Sequence, residues 1–559
     1  METVEKEIKS GWTIGLSLFI LLVPDVLFNS ELTLLSVGTI FSKFCLIGFL
    51  GFWILYFSKS YWWTYLIIGI PYLLSSFAEI INVLVLDSYM NSDDFKALYF
   101  TSSSEVLEFF RKFHTIFIIP LVIIGLYVIF LIRYNRMRYS GIHVKKLILS
   151  SLGLLVLSLT ISVWRMVEIS DFYSDGNRAK IVFRRCYVYE HPFNFYYRIL
   201  RQVVINKRNK ECQVYKQQFR FNVVPGSETD RPDVVVFIIG EAMRYANWSV
   251  NGYHKETSPG LQQCDNLISF AHHFSTANCT SNSIPLLITQ ATPHTISEAY
   301  HQKTIVSLFK EAGYETSWIS STIDVLNYLD NRDEPDYLCD LRNDYRHQTD
   351  KGILPALQAV LNKPGQRKFI VINMRGWHDR PPEDFQVFTP NSSHKHYAYA
   401  AKNREVFLND YDNMICFQDN ILCGVIKLLK SKKMSSLMVF TSDHATHLFD
   451  EGQALFGYGS AHPTVMETHV PLFIWGSSRY LKDGSCKFNN LKRHTKLMTT
   501  NDHLFYTLAD LANINYETFT KSKSLADSLF LEPTSRFVFT NDGIFEFKRE
   551  PDQMAQSQL

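Results

Sequence analysis

Residues 437–444 read Leu-Met-Val-Phe-Thr-Ser-Asp-His, a short apolar run that ends in hydroxyl, carboxylate and imidazole side chains. This run has three counterparts, which are Val234–Ile239, Lys368–Met374 and Val470–Trp475. Runs that are apolar on both faces are typical of strands in a central sheet, and the stretches between them have helical patterns. The sequence from Arg231 onward therefore predicts an α/β domain with a central sheet between helices.

Polar side chains stand directly after three of these runs. Glu241 follows the first run, His378 follows Lys368–Met374 after a short link, and Asp443 and His444 follow the run at 437–441. Ligands in such folds collect beyond the carboxyl ends of the strands. Zinc accepts carboxylate and imidazole ligands together, whereas calcium and magnesium prefer oxygen alone, so the mixture favours zinc. Each residue alone is also explained as a helix cap, a salt-bridge partner or a hydrogen-bonded histidine, and the prediction rests on their combination.

A candidate nucleophile lies in the segment 279–285, which reads Cys-Thr-Ser-Asn-Ser-Ile-Pro and leads into the helix-like run Leu286–Ile288. Helix N-termini favour anions. A hydroxyl that lies there and binds zinc could ionise and attack phosphorus. On the local sequence alone, an ordinary Ser/Thr helix cap is the favoured explanation of these hydroxyls.

The first part of the chain, up to about residue 165, contains five successive apolar runs of roughly 17 to 25 residues, the length that a membrane-spanning helix needs. A buried globular helix would explain one such run but not five in succession. The basic residues around these runs predict a cytoplasmic N-terminus and an exported chain after Trp164. No small-residue cleavage site follows the first run, which predicts an uncleaved anchor. The predicted spans are Trp12–Phe28, Thr33–Phe57, Trp62–Leu86, His114–Ile132 and Lys146–Trp164.

Composition and patterning give the remaining organisation. The net charge of +2 over 559 residues does not indicate nucleic-acid binding. Residues 166–230 are rich in aromatic and basic side chains and are interpreted as a bridge along the membrane surface, although a plain linker explains them as well. The predicted domains are thus a transmembrane domain over 1–165, this bridge over 166–230 and a catalytic domain over 231–559. Eight of the nine cysteines, all except Cys45, would face the oxidising side, where disulfides are allowed, and no pair is assigned.

Taken together, these segments resemble the phosphoethanolamine transferases of the alkaline phosphatase and sulfatase superfamily, including those that modify lipid A. The resemblance implies a sulfatase-like α/β domain behind an N-terminal transmembrane bundle. Besides the five-span anchor, the segments that carry it are Gly240-Glu241, 247–253 (Asn-Trp-Ser-Val-Asn-Gly-Tyr), 256–259 (Glu-Thr-Ser-Pro), Thr280–Pro285, Tyr411-Asp412-Asn413, Ser442-Asp443-His444 and 469–475.

The resemblance also implies roles for individual residues. Glu241, Thr280, Asp443 and His444 occupy the positions of the family's zinc ligands, with one zinc ion expected and a second left open. Thr280 is implied to be the catalytic nucleophile as well, because it stands five residues before Pro285, as the family nucleophile stands before its proline.

Two histidine positions of the family remain, and this chain matches one of them. His378 is implied to be catalytic or to contact the transferred phosphate or a second zinc ion. The family's other active-site histidine falls between Phe456 and Tyr458, where this chain has none. His462, a few residues later, is the candidate to replace it, so His462 and Tyr458 join His378 as substrate-binding candidates. The departure keeps a non-catalytic sensing or binding homologue among the alternatives.

The activity implied by the resemblance is that of a bacterial inner-membrane enzyme, a monomer with a periplasmic catalytic domain. It would transfer phosphoethanolamine from phosphatidylethanolamine to lipid A, the LPS core or a periplasmic glucan, through a zinc-activated Thr280 that becomes phosphorylated. A phosphoglycerol transferase with the same threonine and zinc is the nearest alternative. A sulfatase is disfavoured, because neither proline nor arginine follows Cys279 at the spacing that formylglycine formation requires.

Overall fold

The structure is a computed structural model, and it divides into two compact units, Met1–Arg208 and Asn209–Leu559. The boundary falls within the helix Phe193–Gln218. Parts of the predicted bridge, residues 171–190 and 225–230, lie outside the described residues. The described residues are 22, 25–26, 34–58, 60–86, 115, 117–134, 144–170, 191–224, 231–321, 329, 331–341, 350–365, 367–378, 382, 385–389, 404–450, 456–460, 462–483, 485–540 and 543–548.

The described part of the first unit is dominated by long helices. They are α1 (Leu34–Ser58), α2 (Tyr61–Leu86), α3 (Ile118–Tyr134), α4 (Val144–Ser170) and the beginning of α5 (Phe193–Gln218). Two stretches, Ile40–Ser58 and Trp62–Ile81, are long and apolar enough to cross a membrane by length and composition, and the apolar stretches of α3 and α4 are shorter. The first predicted span, Trp12–Phe28, lies almost wholly outside the described residues, so the count of five spans stays a prediction.

Helices α1 and α4 pack against each other through small polar side chains. Ser42 Oγ lies 2.9 Å from Ser158 Oγ and 3.1 Å from Ser162 Oγ. Ser158 Oγ donates in turn to the carbonyl oxygen of Ser42 at 3.0 Å. Small residues allow two helix backbones to approach closely, and hydroxyls that pair across the contact satisfy each other's hydrogen-bonding groups.

The second unit contains a mixed sheet with shorter accessory ladders. Its strands are β1 (Val223–Val224), β2 (Val234–Gly240), β3 (Leu267–Ser269), β4 (His273–Phe274), β5 (Glu315–Ser320), β6 (Tyr337–Asp340), β7 (Lys368–Asn373), β8 (Ser436–Ser442), β9 (His447–Leu448), β10 (Phe456–Gly457), β11 (Leu472–Gly476), β12 (Thr499–Thr500), β13 (Asn515–Tyr516), β14 (Ser535–Thr540) and β15 (Gly543–Lys548). The central sheet has the order β3-β11-β8-β2-β7-β5-β6. Its ladders from β8 to β6 are parallel, whereas β11 is antiparallel to both β8 and β3.

Helices cover both faces of this sheet. They are α6 (Pro259–Gln262), α7 (Thr280–Ile288), α8 (Ile305–Glu311), α9 (Ile353–Asn362), α10 (Arg404–Ser431), α11 (Val465–Thr468), α12 (Ser478–Asp483), α13 (Ser485–His494) and α14 (Leu504–Leu511). In β2, Val235 and Phe237 belong to the core shared with α7, α8 and α14, and Val236 and Ile238 belong to the core shared with α9 and α10. The predicted central sheet between helices is therefore confirmed, and burial on both faces explains the uninterrupted apolar runs.

The strand register places the candidate site residues that follow β2, β7 and β8 at one edge of the sheet. Gly240 pairs with Ser442 of β8, and Ile239 pairs with Asn373 of β7, both in parallel ladders. The chain segments that follow β2, β7 and β8 therefore leave neighbouring strands side by side. The fourth predicted strand is observed as β11, and its antiparallel direction puts its carboxyl end at the opposite edge.

Candidate active site

Glu241, Asp443 and His444 converge just beyond the ends of β2 and β8. Among the described residues, their ligand atoms form a group in which all lie within 4.8 Å of one another. His444 Nε2 is 3.4 Å from Glu241 Oε1 and 3.4 Å from Asp443 Oδ2. The three residues are at most 1% exposed. Two buried carboxylates at this spacing require a compensating positive charge, and a metal cation would supply it.

Thr280 adds a hydroxyl to this cluster. It is the first residue of α7, and Cys279 before it is extended. Thr280 Oγ1 lies 3.3 and 3.1 Å from the two carboxylate oxygens of Glu241 and 3.1 Å from His444 Nε2. The first turn of a helix has backbone N–H groups without intrahelical acceptors, and together with the helix dipole they favour an anion beside Thr280.

Asp443 is arranged to present one oxygen to the centre of the cluster. Its Oδ1 accepts hydrogen bonds from the N–H groups of Ala242 at 3.2 Å and His444 at 2.7 Å. Its Oδ2 accepts no hydrogen bond from the described residues and faces His444 Nε2. A buried carboxylate oxygen without a donor is unfavourable, and coordination to a cation would satisfy it.

His444 is oriented as a metal ligand would be. Its Nδ1 lies 2.8 Å from the carbonyl oxygen of Ala445, which can only accept, so Nδ1 carries a proton and donates it. In the neutral ring, the lone pair then lies on Nε2, which faces Thr280 and Glu241. Metal-binding histidines commonly use one ring N–H in this way to fix the ring and its tautomer.

The electrostatics of the cluster favour bound positive charge. Burial and the neighbouring carboxylate of Glu241 raise the pKa of Asp443 to about 7. Burial lowers the pKa of His444, but the charges of Asp443 and Glu241 outweigh it and raise that pKa to about 9. The cluster therefore holds protons near neutral pH, and a metal cation would displace them.

The main chain at Asp443 is fixed by side chains that the sequence did not single out. Its carbonyl oxygen accepts hydrogen bonds from Ser275 Oγ, from Ser283 Oγ one turn after Thr280, and from Asn501 Nδ2 at 3.4 Å. Asn501 Oδ1 lies 2.9 Å from Nε2 of the buried His273. Ser283 thus connects the helix of the candidate nucleophile directly to a candidate metal ligand. No sequence signal linked these residues, except that Ser283 lies in the same segment as Thr280.

The three substrate-binding candidates occupy different places. The ring of Tyr458 lies 4.1 Å from the ring of His444 and is 39% exposed, so Tyr458 lines the solvent side of the cluster. His462 is exposed, and its ring is 6.0 Å from that of Phe545 in the hairpin β14-β15. His378 ends a 3₁₀ turn that follows β7, and its side chain lies outside the described part of the structure. Of the two whose side chains the structure describes, Tyr458 is the one that lies against a candidate metal ligand.

Known proteins share this architecture. The phosphoethanolamine transferase EptC of Escherichia coli K12 is 26% identical over 322 residues, which are 55% of this chain and 55% of EptC. The chain thus spans about half the length of the curated relatives it matches. The zinc complex of the periplasmic domain of E. coli EptC superposes with a TM-score of 0.52 at 22% identity, over 58% of this chain and 95% of that domain.

A second solved structure is similar over most of the chain. It is the integral membrane protein lipooligosaccharide phosphoethanolamine transferase A (EptA) of Neisseria meningitidis, with a TM-score of 0.57 at 20% identity, over 91% of this chain and 97% of EptA. At such identities the likeness shows the fold. The Sulfatase family model matches residues 233–514, which are half of the chain and include all four residues of the cluster. The chain therefore belongs to the Sulfatase family.

Proposed function

We propose that the chain is a phosphoethanolamine transferase with Thr280 as its nucleophile and with zinc bound by Glu241, Thr280, Asp443 and His444. The observation that carries the proposal is the position of Thr280 Oγ1, 3.1 Å from both Glu241 Oε2 and His444 Nε2 at the start of α7. A hydroxyl that only capped the helix would bond a backbone N–H of its own first turn. Thr280 is instead the first helical residue, and its hydroxyl faces two potential metal ligands.

The donor atoms suit zinc. Carboxylate and imidazole ligands at a site of low coordination number are typical of zinc, and the buried Asp443 Oδ2 has the unsatisfied character expected of a ligand atom. The related EptC domain has been solved as a zinc complex, which supports the same ion here. Zinc at these residues would lower the pKa of the Thr280 hydroxyl and offset negative charge on the phosphate. The number of ions is proposed as one, with a second left open.

The reaction we propose has two balanced transfers. In the first, Thr280 Oγ1 forms a bond to the phosphorus of phosphatidylethanolamine while the bond to the diacylglycerol oxygen breaks, and the threonine proton passes to that leaving oxygen. In the second, an oxygen of the acceptor hydroxyl or phosphate forms a bond to the same phosphorus while the bond to Thr280 Oγ1 breaks, and the acceptor's proton passes to Thr280 Oγ1. The N–H groups of the first turn of α7 would bind the non-bridging phosphate oxygens in both steps.

Residues on the solvent side of the cluster would bind the substrates. Tyr458 is the best placed, because its ring contacts that of His444 while 39% of the residue is exposed to solvent. We propose that its hydroxyl contacts the transferred phosphate. His378, which follows β7 at the same edge of the sheet, is proposed as the proton carrier or a phosphate contact. His462 remains a candidate for the acceptor side.

The substrates and the compartment are proposed from the relatives and from the helical unit. The relatives are named phosphoethanolamine transferases, and EptA is named for lipooligosaccharide. We therefore propose phosphatidylethanolamine as donor and lipid A, the LPS core or a periplasmic glucan as acceptor. The long helices expose large apolar side chains, including Phe57 at 75%, Ile132 at 69% and Leu149 at 75%. Such surfaces suit lipid contact and an inner-membrane anchor with the second unit in the periplasm.

The proposal is tested by mass spectrometry of envelope lipids and glycans from cells that express the native chain, Thr280→Ala or Ser281→Ala. Ser281 is the next residue along α7, and its hydroxyl lies 3.7 Å from Cys279 Sγ, so its variant is the matched control. We expect an added phosphoethanolamine with the native chain and with Ser281→Ala, and none with Thr280→Ala. Addition of phosphoglycerol instead would identify the alternative donor. No added group at all, with every variant present in the membrane, would favour a non-catalytic homologue.

A further inference from the structure

The short helix α6 rests on the long helix α10 at a point where two cysteines approach. The N–H groups of Gly260 and Leu261 donate to the carboxylate of Asp419 at 2.9 Å each. One turn further along α10, Cys423 Sγ lies 3.8 Å from Asp419 Oδ1. The Cys423 side chain is so close to α6 that a Cβ atom at Gly260 would lie 2.6 Å from Cys423 Sγ. The sulfur of Cys423 is therefore directed at the turn formed by α6.

Cys264 ends that same turn. Its N–H donates to the carbonyl oxygen of Leu261 at 3.1 Å, and its side chain packs against the apolar core that contains Cys423. The two thiols are near enough that each one shifts the pKa of the other. We propose that Cys264 and Cys423 form a disulfide bond in the folded protein. This inference rests on the export of the second unit to an oxidising compartment, which is part of the proposed function.

Formation of this bond is a two-electron oxidation of the two thiols. Each thiol loses a proton, one S–S bond forms, and two electrons reduce the disulfide of a thiol oxidant to its dithiol. Cys264 is partly exposed and is accessible to such an oxidant, whereas Cys423 is 8% exposed and would displace the oxidant from Cys264 in the second exchange. Burial raises the pKa of both thiols in the folded domain, so thiolate is scarce there. We therefore expect the bond to form during folding, as α6 docks on α10 and before burial of the two thiols is complete.

A bond at this place would secure the loop that follows the candidate metal ligand Glu241. That loop already meets α10 through several polar contacts, and two of them lie near its beginning. Tyr411 Oη donates to the carbonyl oxygen of Ala242 at 3.0 Å, and Asn247 Nδ2 donates to Asp412 Oδ1 at 2.9 Å. A covalent link further along α10 would hold the far end of the same loop, so that both ends of the segment between Glu241 and α6 are fixed to one rigid helix.

The test is to alkylate free thiols in intact cells before lysis and then map the cysteines of the purified full chain by mass spectrometry. We expect a linked peptide pair that contains Cys264 and Cys423, about 2 Da lighter than the two reduced peptides, and alkylation of both only after reduction. Cys416 is the internal control. It lies on the same helix and is equally buried, with its sulfur 3.9 Å from a backbone carbonyl oxygen, and should be alkylated without reductant once the protein is denatured.

Two further measurements separate this inference from the proposed location. Cys486 is exposed on the second unit, so labelling by a membrane-impermeant maleimide in spheroplasts reports the side of the membrane. If Cys486 is labelled while Cys264 and Cys423 are both free thiols, or are linked to other cysteines, the disulfide is refuted and the location stands. Reductant should lower the thermal midpoint of the native chain by about 5 °C and leave the Cys264→Ser/Cys423→Ser double variant unchanged. An equal shift in both proteins would also count against the bond.

Discussion

Zinc binding should tighten steeply as the pH rises, because two of the proposed ligands hold protons when no metal competes for them. The pKa of Asp443 is raised to about 7 by burial and by Glu241. The pKa of His444 is raised to about 9 by Asp443 and Glu241, against the effect of burial. A carboxylate or an imidazole must lose its proton before it binds zinc. Each proton therefore competes with the metal over its own range of pH.

The size of the effect follows from these two values. Below pH 7, zinc displaces a proton from both Asp443 and His444, and between pH 7 and 9 it displaces one from His444 alone. The apparent affinity should then rise by up to about 100-fold per pH unit in the lower range and about 10-fold per unit in the upper range. From pH 6 to pH 8 the total is roughly 1,000-fold, which corresponds to about 4 kcal/mol.

The zinc-free protein should show the opposite dependence of stability on pH. The folded pKa of His444 lies above its ordinary value of 6.5, so its contribution is fully present below that pH and is lost as the pH rises through about 9. The folded pKa of Asp443 also lies above its ordinary value of 3.8, so the free energy of unfolding falls as the pH rises from there to about 7. The increase in thermal midpoint caused by zinc should therefore be larger at pH 8 than at pH 6.

The affinity is measured on the detergent-solubilised full chain by competition with a chromophoric zinc chelator at pH 6, 7 and 8. Asp443→Asn is the informative variant, because the amide cannot titrate. We expect it to bind zinc more weakly and to show at most about a 10-fold change per pH unit throughout, since only His444 still loses a proton. An affinity of the native chain that stays constant between pH 6 and 8 would refute the reasoning, because it would mean that zinc displaces no proton from this cluster.

Three further predictions concern single side chains. Thr280→Ala should lower the rate of phosphoethanolamine transfer by at least roughly 10³-fold, since it removes the proposed nucleophile, whereas Ser281→Ala should retain the native rate in the same assay. Tyr458→Phe keeps the ring and removes the hydroxyl, so we expect kcat to fall about 10-fold with zinc affinity unchanged; an unaltered kcat would leave Tyr458 a packing role only. Ser283→Ala removes a donor to the carbonyl oxygen of Asp443 and should cost about 1–2 kcal/mol of stability in denaturant unfolding together with weaker zinc binding. Lost stability with native zinc affinity would show that Ser283 does not position the ligand.

The sheet could be predicted because its strands are buried on both faces. Val234–Ile239 lies within β2 at the centre of the sheet, where helices cover both sides, so polar residues are excluded along its whole length. The parallel pairing of β2 with β8 then makes Glu241 and Asp443 neighbours by register alone. Sequence reasoning locates such a site well, because the position depends on strand ends and not on side-chain packing.

Other features depend on contacts that no local pattern encodes. Asn501 reaches the backbone of Asp443 from a distant segment, and Cys264 meets Cys423 only because α6 docks on one face of α10. Among several hydroxyls before Pro285, the choice of Thr280 depends on the rotation of α7, which turns Ser283 toward the backbone of Asp443 instead. These pairings are set by tertiary packing, and a single sequence provides no measure of it.

The burial of the cluster connects its stability with its chemistry. Glu241 and Asp443 are taken out of water, so their mutual repulsion is poorly screened and the folded domain needs a positive charge beside them. A proton supplies that charge at low pH, but it also occupies the atoms that would bind a metal. At higher pH a cation must replace the proton, and Thr280 Oγ1 lies within reach of the same two side chains, Glu241 and His444. The charge that compensates the carboxylates is therefore placed beside the hydroxyl whose ionisation the proposed reaction requires, so the loss of either carboxylate should weaken both metal binding and activation of Thr280.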